Sequence, residues 1–242
     1  MFGFFKKGPS PKEIVETIKV DIHSHLIPGI DDGAQNLEDS LSLISKMQEL
    51  GYKKLIITPH IMVDTYPNRE DDIKNRLLTL RDEVKKRGID IQLEAAAEYY
   101  LDEGFLNHLE EPLLIADTFL LFETSYMSAP INFDDIIFLI NTKYTPLLAH
   151  PERYRYIKDL KEYDKLKKMG VYFQIDINSI AGHYGKDAQK KSEYLINNGL
   201  VDFVGSDLHN KKHINNLINS LTKKNIWYNL FEKNEILNSR LI

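Results

Sequence analysis

The 242-residue chain predicts an α/β fold in which a parallel sheet closes, or nearly closes, into a TIM-like barrel of seven β/α units. Three observations predict it. Short apolar runs alternate with stretches of three- and four-residue hydrophobic spacing along most of the chain. Glycines stop several of the helical stretches, at Gly51, Gly88, Gly170 and Gly199. Histidines and carboxylates recur where the apolar runs end. Strands in alternation with helices imply parallel pairing with right-handed crossovers, and closure is the economical arrangement for seven such units.

Taken in order, residues 1–17 read as a short N-terminal tail or packing strap. Its apolar patch, Met1-Phe2-Gly3-Phe4-Phe5, is too short for a signal-peptide core. Residues 18–22 form the first apolar run and lead into His23-Ser24-His25. Leu37, Leu41, Ile44, Met47 and Leu50 make one helical stripe, with Asn36 as N-cap and Gly51 as stop. Residues 54–58 read as a buried strand closed by Pro59-His60. A helix over 70–87 follows, then a strand over 89–97 ending in Glu98-Tyr99-Tyr100. Further strands are expected at 118–122, 145–149, 171–175 and 201–204. Helices are expected at 132–141, 159–169 and 186–197, and residues 213–242 read as mostly helical. With no linker or repeat, residues 1–242 read as a single domain.

Composition narrows the function classes. The charged fraction is 28% and the net charge −5, which disfavours disorder and non-specific nucleic-acid binding. The chain has no cysteine, so disulfides, thiolate metal sites and a cysteine nucleophile are excluded. No apolar run is long enough for a membrane-spanning helix, and a cytoplasmic location is expected.

His23, His25, His60, Glu98, Glu123, His150, Asp207 and His209 all fall at or just beyond the C-terminal ends of the expected strands, where a β/α barrel gathers its active site. Any one of them alone would read as an ordinary loop residue. Five of the eight histidines lie at these positions, which makes coincidence a poor account. Imidazole and carboxylate without sulfur suit Mn²⁺, Fe²⁺ or Zn²⁺. Asp31 or Asp32 adds an oxygen, and so large a donor set suits two or three ions with shared carboxylates.

These residues stand in ordered motifs: His23-x-His25, Asp32-Gly33, Thr58-Pro59-His60, Ala97-Glu98-Tyr99-Tyr100, Phe122-Glu123, Ala149-His150-Pro151-Glu152-Arg153-Tyr154 and Ser206-Asp207-Leu208-His209. The set resembles the polymerase-and-histidinol-phosphatase (PHP) superfamily. Within it, the chain resembles the bacterial manganese-dependent protein tyrosine phosphatases of capsule and exopolysaccharide clusters. The resemblance covers residues 20–213. It implies a distorted barrel of seven β/α units that carries up to three metal ions, Mn²⁺ first and Fe²⁺ or Zn²⁺ as alternatives. Carried over by position, His23, His25, Glu98 and Asp207 would hold one ion. Glu98, Glu123 and His150 would hold a second. Asp32, His60 and His209 would hold a third, with Asp31 as the weaker alternative to Asp32. Arg153 matches a phosphate-binding arginine of the family. A second arginine is expected just after Ser-Asp-x-His, where this chain reads Asn210-Lys211-Lys212-His213. Either lysine would supply a point charge without the planar fork of arginine.

The resemblance further implies hydrolysis of phosphotyrosine in the C-terminal tail of a bacterial tyrosine kinase that controls polysaccharide export. Asp207 and His209 are expected in the catalytic centre, and His183 or His209 is a candidate general acid, with a plain loop role favoured for His183. Tyr99, Tyr100, Tyr126, Tyr154 and Tyr156 are candidates to flank the substrate ring. A histidinol-phosphate phosphatase or other phosphoesterase, a nuclease, and a non-catalytic barrel that binds a phosphorylated partner remain as alternatives.

Overall fold

The computed structural model describes residues 8–242. The N-terminal aromatics Phe2, Phe4 and Phe5 lie outside the described residues. The expected tail nevertheless ends early, because Pro11–Ile18 form helix α1. Ser10 and Glu13 make a reciprocal capping box and Pro11 occupies the first turn. Ile14, Val15 and Ile18 are buried, an amphipathic spacing that anchors this segment to the body. At roughly 1.5–3 kcal/mol for each buried aliphatic side chain, α1 is a packing element and no loose tail. It also removes Ile18 from the first strand. Lys19 ends the helix at φ 61°, and β1 is only Val20–Asp21.

Helix α2 (Leu37–Leu50) has its expected cap and stop: Asn36 accepts from the Asp39 N–H, and Gly51 takes φ 105°. The second and third strands are each broken in two. β2 (Lys54–Ile57) is followed by β3 (His60–Ile61), and after α3 (Glu70–Lys86), β4 (Gln92–Ala95) is followed by β5 (Glu98–Tyr100). Pro59 has no N–H to give to a ladder. The two breaks stay in step, since Ala96 N–H donates to Ile57 O and Glu98 N–H to Pro59 O. Residues 89–91, expected in the third strand, lie outside it. The chain continues through β6 (Phe119–Glu123), α4 (Phe133–Asn141), β7 (Thr145–Ala149), α5 (Lys161–Lys168), β8 (Tyr172–Asp176), the one-turn α6 (Ile177–Ile180), α7 (Lys186–Asn197), β9 (Phe203–Gly205), α8 (Lys211–Leu221) and α9 (Lys224–Lys233). The short α6 had no periodic signal. The expected C-terminal helical region is α8, α9 and a 3₁₀ turn, with Trp227 buried and its Nε1–H bonded to Ser220 O at 2.9 Å.

All strand pairings are parallel, in the orders β1-β2-β4 and β3-β5-β6-β7-β8-β9. The sheet curls until its two edges meet beyond β1 and β9. There Asp207 N–H donates to His23 O and His25 N–H to Leu208 O, both at 2.9 Å. Alternation along the strands divides the core. Val20, Ile22, Ile56, Leu121, Leu147 and Phe203 form a small cluster, whereas Leu55, Ile57, Leu120, Phe122 and Leu148 join the larger one with the helices. Among the described residues, no helix is long and apolar enough to cross a membrane.

Candidate metal centre

The C-terminal strand ends bring all nine expected donor residues together. Four overlapping groups have their donor atoms within 4.8 Å of one another: His25, Asp32, His60 and His209; His23, His25 and Asp207; His23, Glu98 and His150; and His60, Glu98 and Glu123. His23 and His25 lie past the end of β1, but the hydrogen bonds to the β9 side keep this segment extended. Alternation therefore points both rings inward, with their Nε2 atoms 3.2 Å apart. His150 and Asp207 occupy left-handed backbone at φ 34° and 46°, an unfavourable conformation for side-chain-bearing residues that is common at functional sites.

Glu98 is the hub. Its Oε2 faces His60 Nδ1 at 3.0 Å, His23 Nε2 at 3.3 Å and His25 Nε2 at 3.5 Å, and its Oε1 faces His150 Nε2 at 3.0 Å. Asp207 Oδ1 lies 3.3 Å from both His23 Nε2 and His25 Nε2, while its Oδ2 accepts from Arg153. Asp32 Oδ1 lies 3.3 Å from His209 Nε2 and 3.5 Å from His60 Nε2. His60 thus stands between two groups, with Nδ1 toward Glu98 and Glu123 and Nε2 toward Asp32. The two adjacent aspartates separate cleanly. Asp31 Oδ2 accepts from His25 Nδ1 at 2.8 Å and from the His60 N–H, and Oδ1 accepts from the Gly33 N–H. Asp31 orients a ring, and Asp32 faces the open cavity.

The charge balance has the form expected of a cation site. Burial alone would lower the imidazole pKa of His23, but Glu98 and Asp207 outweigh it and raise it to about 10. His209 rises to about 9, again against burial, through Asp207 and Asp32. Burial would raise the Glu98 and Asp207 carboxyls, yet the surrounding cations hold both well below the carboxylate range. Glu98 Oε2 and His60 Nδ1 are buried and complete no hydrogen bond. Unpaired buried nitrogen and oxygen lone pairs aimed at a common centre fit a divalent transition metal.

A cavity of about 410 Å³ opens over this cluster and includes Asp32, His60, Tyr66, Tyr100, Tyr126 and Arg153 in its wall. Arg153 lies between the rings of Tyr184 and Tyr126, 4.1 and 4.9 Å from their centroids. Asp176 Oδ2 stands 3.6 Å behind it, its carboxyl raised well above normal by burial and by Asp207, against the pull of Arg153. The five candidate tyrosines divide. Tyr100 and Tyr126 line the cavity, whereas Tyr99 and Tyr154 are buried in the core and Tyr156 bonds Thr124. Lys211 and Lys212 line a neighbouring cleft with Gly33 and His209 instead of the cavity that holds Arg153. His183 is bonded to Asn216 Nδ2 at 2.9 Å, as its plain loop reading expects.

Several supporting residues escaped the sequence reading. Gln174 accepts from His23 Nδ1–H at 2.8 Å, and its own Nε2 donates to Ile175 O, which fixes the amide. Asp21 accepts from Ser206 N–H and Oγ–H at 2.8 and 2.6 Å and ties the first strand to the last. Tyr66 stacks on His60, and Tyr184 packs on Arg153. Gln174 and Asp21 carried one signal, a polar side chain within an apolar strand.

The sequence pattern of the family described as capsular polysaccharide synthesis, CpsB/CapC, matches residues 19–227. Tyrosine-protein phosphatase CpsB of Streptococcus agalactiae is 31% identical over 204 residues, covering 79% of this chain and 83% of that protein. Tyrosine-protein phosphatase YwqE of Bacillus subtilis is 30% identical over 199 residues, covering 80% and 78%. A crystal structure from work on B. subtilis YwqE and Streptococcus pneumoniae CpsB, described as unique metal-dependent tyrosine phosphatases, superposes with a TM-score of 0.78 at 28% identity, over 88% of this chain and 91% of that one. Histidinol phosphate phosphatase from Lactococcus lactis shares the fold at a TM-score of 0.53 and 12% identity, over 86% and 94% of the two chains. Pattern, sequence and architecture agree, and the chain belongs to the CpsB/CapC family.

Proposed function

We propose that this protein is a metal-dependent protein tyrosine phosphatase that acts on phosphotyrosine in a bacterial tyrosine kinase regulating capsular or exopolysaccharide synthesis, in the cytoplasm. The observation that carries the proposal is Glu98, a fully buried carboxylate ringed by four imidazoles at 3.0–3.5 Å, beneath a cavity that also holds Arg153. The curled sheet is read as a distorted seven-unit barrel, with each broken strand counted once. His23, His25, Glu98 and Asp207 would hold one ion; Glu98, Glu123 and His150 a second; Asp32, His60 and His209 a third. Mn²⁺ is the first choice, with Fe²⁺ or Zn²⁺ as alternatives that the same donors accept.

Bound divalent ions supply Lewis acidity and ionise water near neutral pH. The protein does the rest. The Arg153 guanidinium, packed near the rings of Tyr126 and Tyr184, presents N–H donors to phosphoryl oxygens as charge spreads over them in the transition state. Tyr100 and Tyr126 offer the cavity wall against which an aromatic leaving group can pack. A phenolate has a reference pKa of about 10, so it leaves more readily than an alkoxide. His209 Nδ1–H is tied to Asp207 O at 2.9 Å, which holds its Nε2 toward the cavity beside Asp32. The test is phosphate release from a phosphotyrosyl peptide by metal-stripped protein, with and without added Mn²⁺, beside histidinol phosphate as a competing substrate. Release that returns only with metal and favours the peptide in kcat/KM is expected. Full activity after exhaustive metal removal, or a preference for histidinol phosphate, overturns the reading.

A further inference from the structure

A second cavity, of about 690 Å³, lies against the first and shares Tyr126, Met127 and Arg153 with it. Its far wall carries Arg155, Lys158 and Lys186, all exposed. Among the described residues none of these three has a carboxylate within salt-bridge distance. One acidic residue lines the cavity, Asp187, and its charge is already engaged. Lys191 Nζ holds it at 2.8 Å from a buried position where it also donates to Tyr154 O at 2.8 Å. A chain with a net charge of −5 therefore concentrates three cations without a salt-bridge partner beside its proposed catalytic cavity, Lys158 acting on Asp187 only at longer range. Arg155 N–H donates to Tyr126 O at 2.7 Å, which ties the Arg155 backbone to a residue that lines both cavities.

We propose that this second cavity is a docking subsite for an acidic peptide segment beside the phosphotyrosine, and that Arg155, Lys158 and Lys186 set the preference for it. The inference rests on the phosphatase reading above and adds the class of substrate sequence. An extended chain advances roughly 3.3 Å per residue, so a carboxylate two or three positions from the phosphotyrosine reaches an adjoining cavity. Opposite charge raises encounter rates and fixes register more than it adds raw affinity, so the effect belongs in kcat/KM and weakens with salt.

The experiment compares Mn²⁺-loaded protein on three substrates: free phosphotyrosine, a phosphotyrosyl peptide flanked by Glu and Asp, and the same peptide flanked by Gln and Asn. Exposed ion pairs contribute about 0.2–1 kcal/mol each, so three of them correspond to a preference of roughly 3- to 150-fold in kcat/KM for the acidic peptide at low salt. The triple variant Arg155→Ala/Lys158→Ala/Lys186→Ala is expected to lose that preference and keep its activity on free phosphotyrosine. Its melting temperature checks that the exposed substitutions leave the fold intact. Equal kcat/KM for both peptides in the parent protein, or a preference that survives the triple substitution, overturns the inference alone. Absence of turnover on all three substrates overturns the phosphatase reading and the subsite with it.

Discussion

The five histidines of the proposed metal centre fall into two kinds. His23, His25 and His209 each spend Nδ1–H on a protein acceptor, Gln174 Oε1, Asp31 Oδ2 and Asp207 O respectively. Their tautomer and ring angle are set before any ion arrives, and Nε2 faces the centre. His60 and His150 have no such partner: His60 turns both nitrogens toward carboxylates, and His150 Nδ1 is buried without a hydrogen bond. One side of the centre is organised by the protein, and the other must be organised by what it binds. The ion held by His23, His25, Glu98 and Asp207 is therefore expected to bind first and leave last, with the positions that depend on His60 and His150 filling at higher metal concentration.

The largest expected effect comes from breaking the carboxylate that joins the two sides. Glu98→Gln keeps the shape but removes the charge shared by four imidazoles, and turnover should fall by about 10²- to 10³-fold, as when a principal electrostatic group of an active site is removed. Excess Mn²⁺ should not restore it. His150→Ala removes a donor that no hydrogen bond positions, so part of its loss should return as Mn²⁺ is raised. Rates measured across a Mn²⁺ titration separate the two cases. Equal rescue of both variants would erase the distinction between the two sides.

A smaller effect sharpens the same contrast from outside the ligand set. Gln174→Leu leaves every proposed donor in place; it frees His23 Nδ1 and, away from the proposed ligands, the Ile175 carbonyl. Loss of a partner that orients a metal ligand typically costs about 10- to 100-fold in metal affinity. Calorimetric titration should show that loss in the tightest binding event and leave the weaker events in place. A change confined to the weaker events would mean that His23 belongs to the other side.

How far the sequence disclosed this centre follows from the distances over which its parts are specified. His23-x-His25 is legible because alternation within one extended segment aims both rings. Tyr100 is legible on the same ground: it is two residues from Glu98 and shares its face, whereas Tyr99 between them must point to the core, as it does. Asp31 and Asp32 are neighbours in an irregular loop, and only the bend that brings Asp31 back to His25 tells them apart. Gln174 is 151 residues from His23, so its polarity within β8 was visible and its partner was not. Helix α1 was overlooked although Ser10-Pro11-Lys12-Glu13 is a capping signature, because eight residues give a weak periodic signal. The breaks in the second and third strands have a local cause in Pro59 and a non-local consequence, a shift of pairing from one ladder to the next.

The smallest expected effect concerns the metal-free protein, where protons take the place of ions. Without a cation, Glu98, Asp207 and Asp32 raise His23 to about 10 and His209 to about 9, against a reference near 6.5 for an unfolded histidine. A folded-state pKa above the unfolded one contributes stability that is complete below about 6.5 and is lost as pH climbs through the folded values. Metal-stripped protein is therefore expected to lose melting temperature between pH 7 and 10 by roughly several degrees. In the loaded protein the metal has already displaced those protons, and the carboxylates keep a counter-charge at every pH in that range. Lysines and tyrosines that titrate near pH 10 act on both forms, so the informative quantity is the difference between the two melting curves. That difference should widen toward alkaline pH. His23 and His209 both belong to the organised side, so a gap that stayed constant would mean that their orientation, and not their charge, is what the carboxylates supply.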